Sequence, residues 1–257
     1  MEGTREVVLD LVGPDNLTEC GIGCIMNSRH EGFQPKVDWL DRRFDEGLRF
    51  FLFRDESQRP LAFLEYVPGE YAWRPVEADG WLFVHCLWVY QRGRAVGGLG
   101  PRLIEACVDE ASKAGRTGVA AMVSEGPWMA GRQVFLKCGF EAVAQADRFE
   151  IVTRRLGEGP APSFRDICDH VADYPGLHVV VGHQCPMLPK SVNDLSEVAA
   201  EAGLELHVTV LDTAKKAQRA PSYYGVFSLL WNGQLLADHY VSRARFRNIL
   251  RDQVLAS

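Results

Sequence analysis

The sequence contains no apolar run near the roughly 18 residues that a membrane-spanning helix needs, and its first ten residues mix charged and apolar side chains. That start has no apolar core of a signal peptide. We therefore expect no membrane association and a cytoplasmic location. No internal repeat or low-complexity tract interrupts the chain.

Basic residues are not in excess. The chain has 28 Lys and Arg against 34 Asp and Glu, a net charge of -6. Phosphate-backbone binding needs clustered Lys and Arg, so a nucleic-acid partner is not expected. A local basic pocket for a phosphorylated cofactor remains compatible with this balance.

The cysteines lack the pattern of a disulfide framework, because their number is odd and their spacing irregular. They are Cys20, Cys24, Cys86, Cys107, Cys138, Cys168 and Cys185. Cys20 and Cys24 are close in sequence, but no second pair completes a zinc site. We expect free thiols and no bound metal.

What is present is an ordinary apolar fraction of 47% in 257 residues, enough for one large or two small globular domains. Gly157 to Pro162 is the best linker, and the order of elements restarts after it. We predict a first domain at 1–156, a linker at 157–163 and a second domain at 164–257. Predicted strands lie at 4–12, 49–54, 61–66, 81–90, 118–123, within 141–153, and at 177–181, 204–211, 226–231 and 234–240. Predicted helices lie within 15–43 and at 101–114, 130–137, 188–202, 213–219 and 243–254.

A glycine-rich segment, Gly93–Gly100, follows a buried strand and precedes a helix that begins near Pro101. Glycines let backbone N–H groups approach a phosphate, and a helix N-terminus adds partial positive charge. The segment is interpreted either as a pyrophosphate cradle or as a flexible connection. A Rossmann site is disfavoured, because the loop follows several strands rather than opening a first βα turn.

At this point the sequence resembles the GNAT superfamily of acyl-CoA N-acyltransferases. Gly98, Gly100, Leu103 and Ile104 match its acetyl-CoA motif, although the motif's basic position falls on Ala95, next to Arg94. The segment 134–140, which ends in Gly-Phe, is similar to its second cofactor motif. The resemblance implies an α/β fold with a mixed central sheet flanked by helices, and acetyl-CoA or another acyl-CoA as cofactor. It implies cofactor-binding roles for Val89, Arg94, Val96, Gly97, Gly98, Gly100 and Phe135.

The resemblance narrows to a GNAT subfamily that carries a C-terminal YoaP-like domain. Segments 65–74 and 85–89 in the first half, and 183–186, 220–227 and 232–233 in the second, match that pattern in order. The resemblance spans about Gly32 to Leu250. The second half then reads as a small thioredoxin-like α/β domain.

Three residues compete as the base that such acyl transfer needs. Glu70 lies in a turn after a central strand, Glu65 interrupts an apolar strand, and His85 lies within the next one. Each also has a structural interpretation, as a solvated turn residue, a buried paired carboxylate or a hydrogen-bonded histidine. Many GNAT enzymes protonate the leaving thiolate with a Tyr at the position of Phe135, so the resemblance implies that this acid is missing. Either the thiolate leaves unassisted, or water or Ser124 helps, or the domain no longer acetylates.

Cys185 falls where the first cysteine of a Cys-Pro-x-Cys motif belongs, at the start of a helix. A helix N-terminus favours the thiolate, and Leu188 occupies the partner position, so a local disulfide cycle is not available. Cys185 is interpreted as a single reactive thiol, or its domain as a fold remnant.

Four aromatics either wall a cleft or fill the core, namely Tyr71, Trp73, Trp81 and Trp88.

The sequence thus predicts an acyl-CoA-dependent N-acyltransferase that acts on a small amine, with Glu70, His85 and Cys185 as the catalytic candidates. A homodimer is compatible with this reading. The alternative is a GNAT-derived protein that has lost acetyl transfer and uses its cleft and Cys185 for ligand binding or other thiol chemistry.

Overall fold

The computed structural model describes residues 7–25, 27–167 and 173–255. They divide into two compact units. Unit 1 is Met1–Ser28, Leu40–Ala72 and Glu77–Phe164, and unit 2 is Arg29–Trp39, Trp73–Val76 and Arg165–Ser257. The last change of unit follows the predicted linker, while two earlier stretches also belong to unit 2. Cys168 and residues 4–6 of the first predicted strand lie outside the described residues.

Most of the described strands lie in the first 164 residues. The strands there are β1 (Val7–Val12), β2 (Arg49–Asp55), β3 (Pro60–Pro68), β4 (Val76–Glu77), β5 (Leu82–Val89), β6 (Gly118–Val123), β7 (Glu141–Ala146), β8 (Phe149–Arg155) and β9 (Ser163–Phe164). The helices are α1 (Leu17–Cys20), α2 (Phe33–Phe44), α3 (Gln91–Val96), α4 (Leu99–Lys113) and α5 (Arg132–Leu136), with a 3-10 turn at Gly69–Tyr71.

Unit 1 is built on a seven-stranded sheet in the order β1-β2-β3-β5-β6-β8-β7. Its neighbours are antiparallel except β5 and β6, which run parallel. Helix α4 packs against β3, β5 and β6. The prediction of a mixed central sheet flanked by helices is confirmed.

The long helix of unit 1 forms because its apolar residues recur at helical spacing. Leu103, Ile104, Cys107, Val108 and Ala111 are buried on one face, as the sequence predicts. That face covers the sheet and completes the main core of the unit. The helix ends where Gly115 adopts a left-handed conformation (φ 63°), which glycine adopts without strain.

Unit 2 holds a four-stranded sheet in the order β11-β10-β12-β13. Its elements are β10 (Leu177–Gly182), α6 (Leu188–Glu201), β11 (Leu206–Leu211), α7 (Ala214–Ala217), β12 (Phe227–Trp231), β13 (Gln234–Ala237) and α8 (Arg243–Ile249), followed by a π-helical turn at Leu250–Val254. β10 and β11 are parallel and the other neighbours antiparallel. The predicted hairpin is confirmed, and Asn232 and Gly233 both have positive φ (47° and 80°), as its two-residue turn requires.

Three sequence predictions differ from the structure. The first half of the glycine-rich loop predicted at 93–100 is the end of helix α3, and its last two residues begin α4, so the true loop is only Gly97–Gly98. Gly93 is needed for packing, because a Cβ there would lie 2.2 Å from the carbonyl oxygen of Leu61 on β3. The helical region predicted within 15–43 is two helices, and the closing helix changes to a π-helical turn after Ile249.

Candidate functional site

The central strands β5 and β6 part in the middle of the sheet. Their parallel ladder pairs Leu82 with Val119 and Phe83 with Ala120, and it ends where Val84 pairs with Ala121. Strand β5 continues to Val89 and β6 to Val123. We call the space between these diverging segments the strand gap. An extended ligand can add to a strand edge of this kind through main-chain hydrogen bonds.

The gap starts at an irregularity in β5. In the ladder with β3, Glu65 is opposite Cys86 and Tyr66 is opposite Val84, so His85 is the extra residue of a β-bulge. A bulge bends the strand and redirects side chains. His85 is therefore the first residue beyond the paired part of β5 and β6.

The bulge brings two of the predicted base candidates together. His85 Nδ1 lies 3.4 Å from Glu65 Oε1, and the two side chains are 0% and 2% exposed. The ring of Phe83 packs against the imidazole with centroids 5.9 Å apart. A carboxylate beside an imidazole orients the ring, and the two side chains meet where β5 leaves β6.

The third candidate, Glu70, lies elsewhere. It is in the 3-10 turn after β3, and its Oε1 accepts hydrogen bonds from Gly80 N (3.1 Å) and Arg116 Nη1 (2.9 Å). Gly80 precedes β5 and Arg116 precedes β6. Glu70 thus lies beside the paired starts of these strands, and the gap opens toward their other ends.

Beyond the gap, β5 leads through α3 to the start of α4. Gly97 and Gly98 have positive φ (78° and 64°), and a Cβ on either would meet only open space. Glycine is therefore needed at these two positions for the left-handed backbone conformation. The first N–H groups of α4 lack helical acceptors, and the helix dipole favours an anion there.

The other predicted cofactor positions surround this start. Arg94 is exposed on α3, and Val96 and Val89 are half-buried. Gly100 is buried, and a Cβ on it would lie 3.5 Å from Val134 and 3.7 Å from Val89. The structure thus gathers Val89, Gly97, Gly98 and Gly100 between the end of β5 and the start of α4. Whether they bind a cofactor stays a prediction.

Phe135, which the resemblance implied as a cofactor-binding position, is fully buried. Its ring packs edge-on against Phe140 with centroids 5.3 Å apart. It has no proton to donate. Ser124, at the end of β6, accepts hydrogen bonds from Arg148 Nη1 (3.0 Å) and Gly126 N (3.1 Å).

Sequence reasoning missed Tyr90, which follows the last residue of β5. Its hydroxyl lies 2.5 Å from the carbonyl oxygen of Gly23 and 2.6 Å from that of Cys24. Burial, and then the nearby thiols of Cys24 and Cys86, raise the pKa of Tyr90. It therefore fixes the connection after α1 to the end of β5. No sequence signal predicts a contact over this separation.

In unit 2, Cys185 is half-buried in the turn between β10 and α6. Its carbonyl accepts a hydrogen bond from Leu188 N at 3.2 Å, and helix α6 starts only at Leu188. The adjacent Gln184 is buried, and its Oε1 lies 3.4 Å from both terminal nitrogens of Arg74. Arg74 is a further residue that sequence reasoning missed.

The aromatic candidates divide between core and surface. Trp73 and Trp81 are 0% exposed, whereas Tyr71 is 42% and Trp88 51% exposed. No helix in the described ranges is long and apolar enough to cross a membrane. Among the same residues, no three His, Cys, Asp or Glu side chains are grouped so that they could hold a metal ion.

The chain is similar to known proteins over most of its length. No protein-family model matches the chain. It is 25% identical over 244 residues to the uncharacterized N-acetyltransferase YoaP of Bacillus subtilis (strain 168), which covers 92% of this chain and 95% of that protein. Among solved structures it is similar to the GNAT-family N-acetyltransferase YhbS from Escherichia coli in complex with CoA (13% identity, 64% of this chain, 93% of that one, TM-score 0.42). Another is the N-acetyltransferase PseH from Campylobacter jejuni in complex with acetyl coenzyme A (14% identity, 58% and 99%, TM-score 0.42). The similarity to YoaP therefore extends into both units of the chain.

Proposed function

We propose that unit 1 is an N-acyltransferase of the GNAT type, which transfers an acyl group from acyl-CoA, foremost acetyl-CoA, to a small amine. The observation that carries this proposal is the strand gap, which opens at His85 and leads to the Gly97–Gly98 turn and the start of α4. A thioester arm is extended, and a pyrophosphate is anionic. The gap and the helix start suit these two parts in that order. The similarity to YoaP supports the same activity.

In this proposal the amine nitrogen attacks the thioester carbon, the C–N bond forms and the C–S bond breaks. Backbone N–H groups of β5 beyond the bulge are the donors for the developing oxyanion. His85 takes the proton from the amine. The thiolate leaves without help from position 135, because Phe135 has no hydroxyl.

For unit 2 we propose a thioredoxin-like organisation. Its order of strand, helix, strand, helix, hairpin and helix, with one parallel pair at β10 and β11, supports this. Cys185 takes the position of the first cysteine in that arrangement. Leu188, at the position of the second, is 1% exposed, so Cys185 acts as a single thiol.

Calorimetry with acetyl-CoA and CoA tests the binding part. Gly98→Asp should weaken binding tenfold or more, because its carboxylate would repel the pyrophosphate. The matched control is Gly115→Asp at the other end of α4, where φ is also near 63° and a Cβ also meets open space. It brings the same backbone strain away from the gap, so affinity should stay as in the wild type.

Thiol release from acetyl-CoA tests the transfer, with ethanolamine, butylamine, phenylethylamine and spermine as acceptors. Release that depends on one of these amines is expected. No CoA binding by the folded wild type would overturn the proposal. Binding without release from any of these amines would contradict transfer to small amines.

A further inference from the structure

We infer that Glu65 is a positioning residue for the base, which holds His85 in the tautomer with its proton on Nδ1 and leaves Nε2 to take the proton of the amine. This inference deepens the proposed function and rests on it. It starts from the contact of 3.4 Å between His85 Nδ1 and Glu65 Oε1. That separation is slightly longer than an ordinary hydrogen bond, and catalytic contacts commonly tighten when substrate binds.

The register of the strands explains why these two residues meet. The bulge places both His85 and Cys86 opposite Glu65, so the imidazole and the carboxylate share the sheet face that also carries Phe83. Without the extra residue, strict alternation would direct His85 and Cys86 to opposite faces. The bulge therefore creates the pair at the place where β5 leaves β6.

Both side chains are shielded from water, and ionic attraction grows as the surroundings become less polar. Glu65 on β3 and Cys86 on β5 are the titratable neighbours that the register places beside His85. Beyond Ala121, strand β6 continues with Met122 and Val123, which do not titrate. A carboxylate at Nδ1 thus fixes one tautomer, as in other carboxylate–histidine pairs.

The proton balance follows from this arrangement. Nε2 accepts one proton as the C–N bond forms, and the imidazolium is then stabilised by the Glu65 carboxylate. When the C–S bond has broken, the imidazolium returns its proton to the solvent or to the thiolate. Glu65 keeps its charge throughout, so it touches neither substrate nor the reacting atoms.

The first test needs no activity. Nitrogen NMR of the wild type should show His85 with its proton on Nδ1, the signal being assigned by its loss in His85→Asn. Glu65→Leu removes the carboxylate, and the proton should move to Nε2, which isolated imidazoles prefer. A wild-type His85 with its proton on Nε2 would overturn the inference even if the chain is an acyltransferase.

The second test is kinetic, with acetyl-CoA and the best amine of the panel. His85→Asn should lower kcat about a hundredfold or more, and Glu65→Gln about tenfold with an unchanged KM for acetyl-CoA. In Glu65→Gln the acidic limb of the pH profile should move to lower pH, because the imidazolium has lost its anionic partner. Glu201→Gln, which removes an exposed salt bridge to Arg247 in unit 2, is the matched control and should behave as the wild type.

The outcomes separate the two proposals. A folded Glu65→Gln protein with wild-type kcat and pH profile would refute the positioning role while leaving acyl transfer intact. Loss of transfer in the wild type itself would refute the proposed function, and the NMR result would still decide whether Glu65 sets the tautomer.

Discussion

The hydroxyl of Tyr90 lies 2.5 Å from the carbonyl oxygen of Gly23, 67 residues earlier in the chain. The contact joins the end of β5 to the segment after α1. That segment covers the sheet closely, because a Cβ on Gly23 would lie 3.2 Å from Phe63 and 3.4 Å from Phe50. Tyr90 therefore fixes this segment beside Phe63 of β3 and Phe50 of β2.

Tyr90→Phe should lower the free energy of unfolding by about 1–2 kcal/mol, because the hydrogen bond that the phenol donates to the carbonyls of Gly23 and Cys24 is lost. Urea denaturation at pH 7 measures this. Tyr71→Phe is the matched control, since Tyr71 is 42% exposed, and it should change stability by less than about 0.5 kcal/mol. Equal effects of the two substitutions would mean that the hydroxyl contact adds nothing.

Stability should fall in alkaline solution. Burial raises the pKa of Tyr66, of Tyr90 and of the Cys107 thiol. A raised pKa in the folded state stabilises fully below the unfolded pKa, and this contribution is lost as the pH rises above it. The loss should begin near pH 8.5 with Cys107 and steepen above about pH 10 with the tyrosines. Denaturation curves from pH 8 to 11 test it, and Tyr90→Phe should lessen the steep part.

Glu70 has a structural role in its salt bridge with Arg116. The pair is partly exposed, with side chains 40% and 27% accessible, so Glu70→Gln should cost no more than about 1 kcal/mol. Thermal unfolding at low and high salt checks this. A hundredfold fall in kcat with unchanged CoA binding would instead make Glu70 the base and displace His85.

The thiols should differ in reactivity. Burial raises the pKa of Cys20, Cys107 and Cys138, so these three should react slowly with iodoacetamide. Cys185 is half-buried beside a helix start and should be labelled before them. Peptide mapping after brief alkylation from pH 5 to 9 gives the ranking. Faster labelling of Cys86 or Cys24, which are also half-buried, would place the most reactive thiol in unit 1.

A cut within Gly157–Pro162 distinguishes two views of the domain boundary. The sequence predicts that 164–257 is a separate domain, so the cut should leave two folded pieces. The structure assigns Arg29–Trp39 and Trp73–Val76 to unit 2, and Trp73 is fully buried against Gly182. On that basis the nicked pieces should elute together on gel filtration, and 164–257 expressed alone should not unfold cooperatively.

The sequence predicted the elements that neighbouring residues determine. The buried face of α4 follows from spacing alone, and the Asn232–Gly233 turn from its residue types. Helix α3 was missed because Gly93 suggests a loop. In the structure, a glycine is needed there because the helix packs closely against the carbonyl group of Leu61 on β3. A long-range contact of that kind leaves no trace in composition.

The candidate site shows the same division. The sequence marked Glu65 and His85 separately as unusual in apolar strands, but their meeting depends on a bulge that alternation does not reveal. Arg74 and Gln184 are 110 residues apart, and the polar character of each gives no hint of its partner. Contacts between segments far apart in the chain, rather than residue type, decided these cases.

Unit 2 is made of three separate segments of the chain, and this constrains how the chain folds during synthesis. Arg29–Trp39 leaves the ribosome early, yet the strands β10 to β13 that complete its unit are made last. Closing loops of more than a hundred residues is slow, because chain entropy opposes it until late contacts form. Those early residues therefore cannot complete their unit until the second half of the chain has been translated.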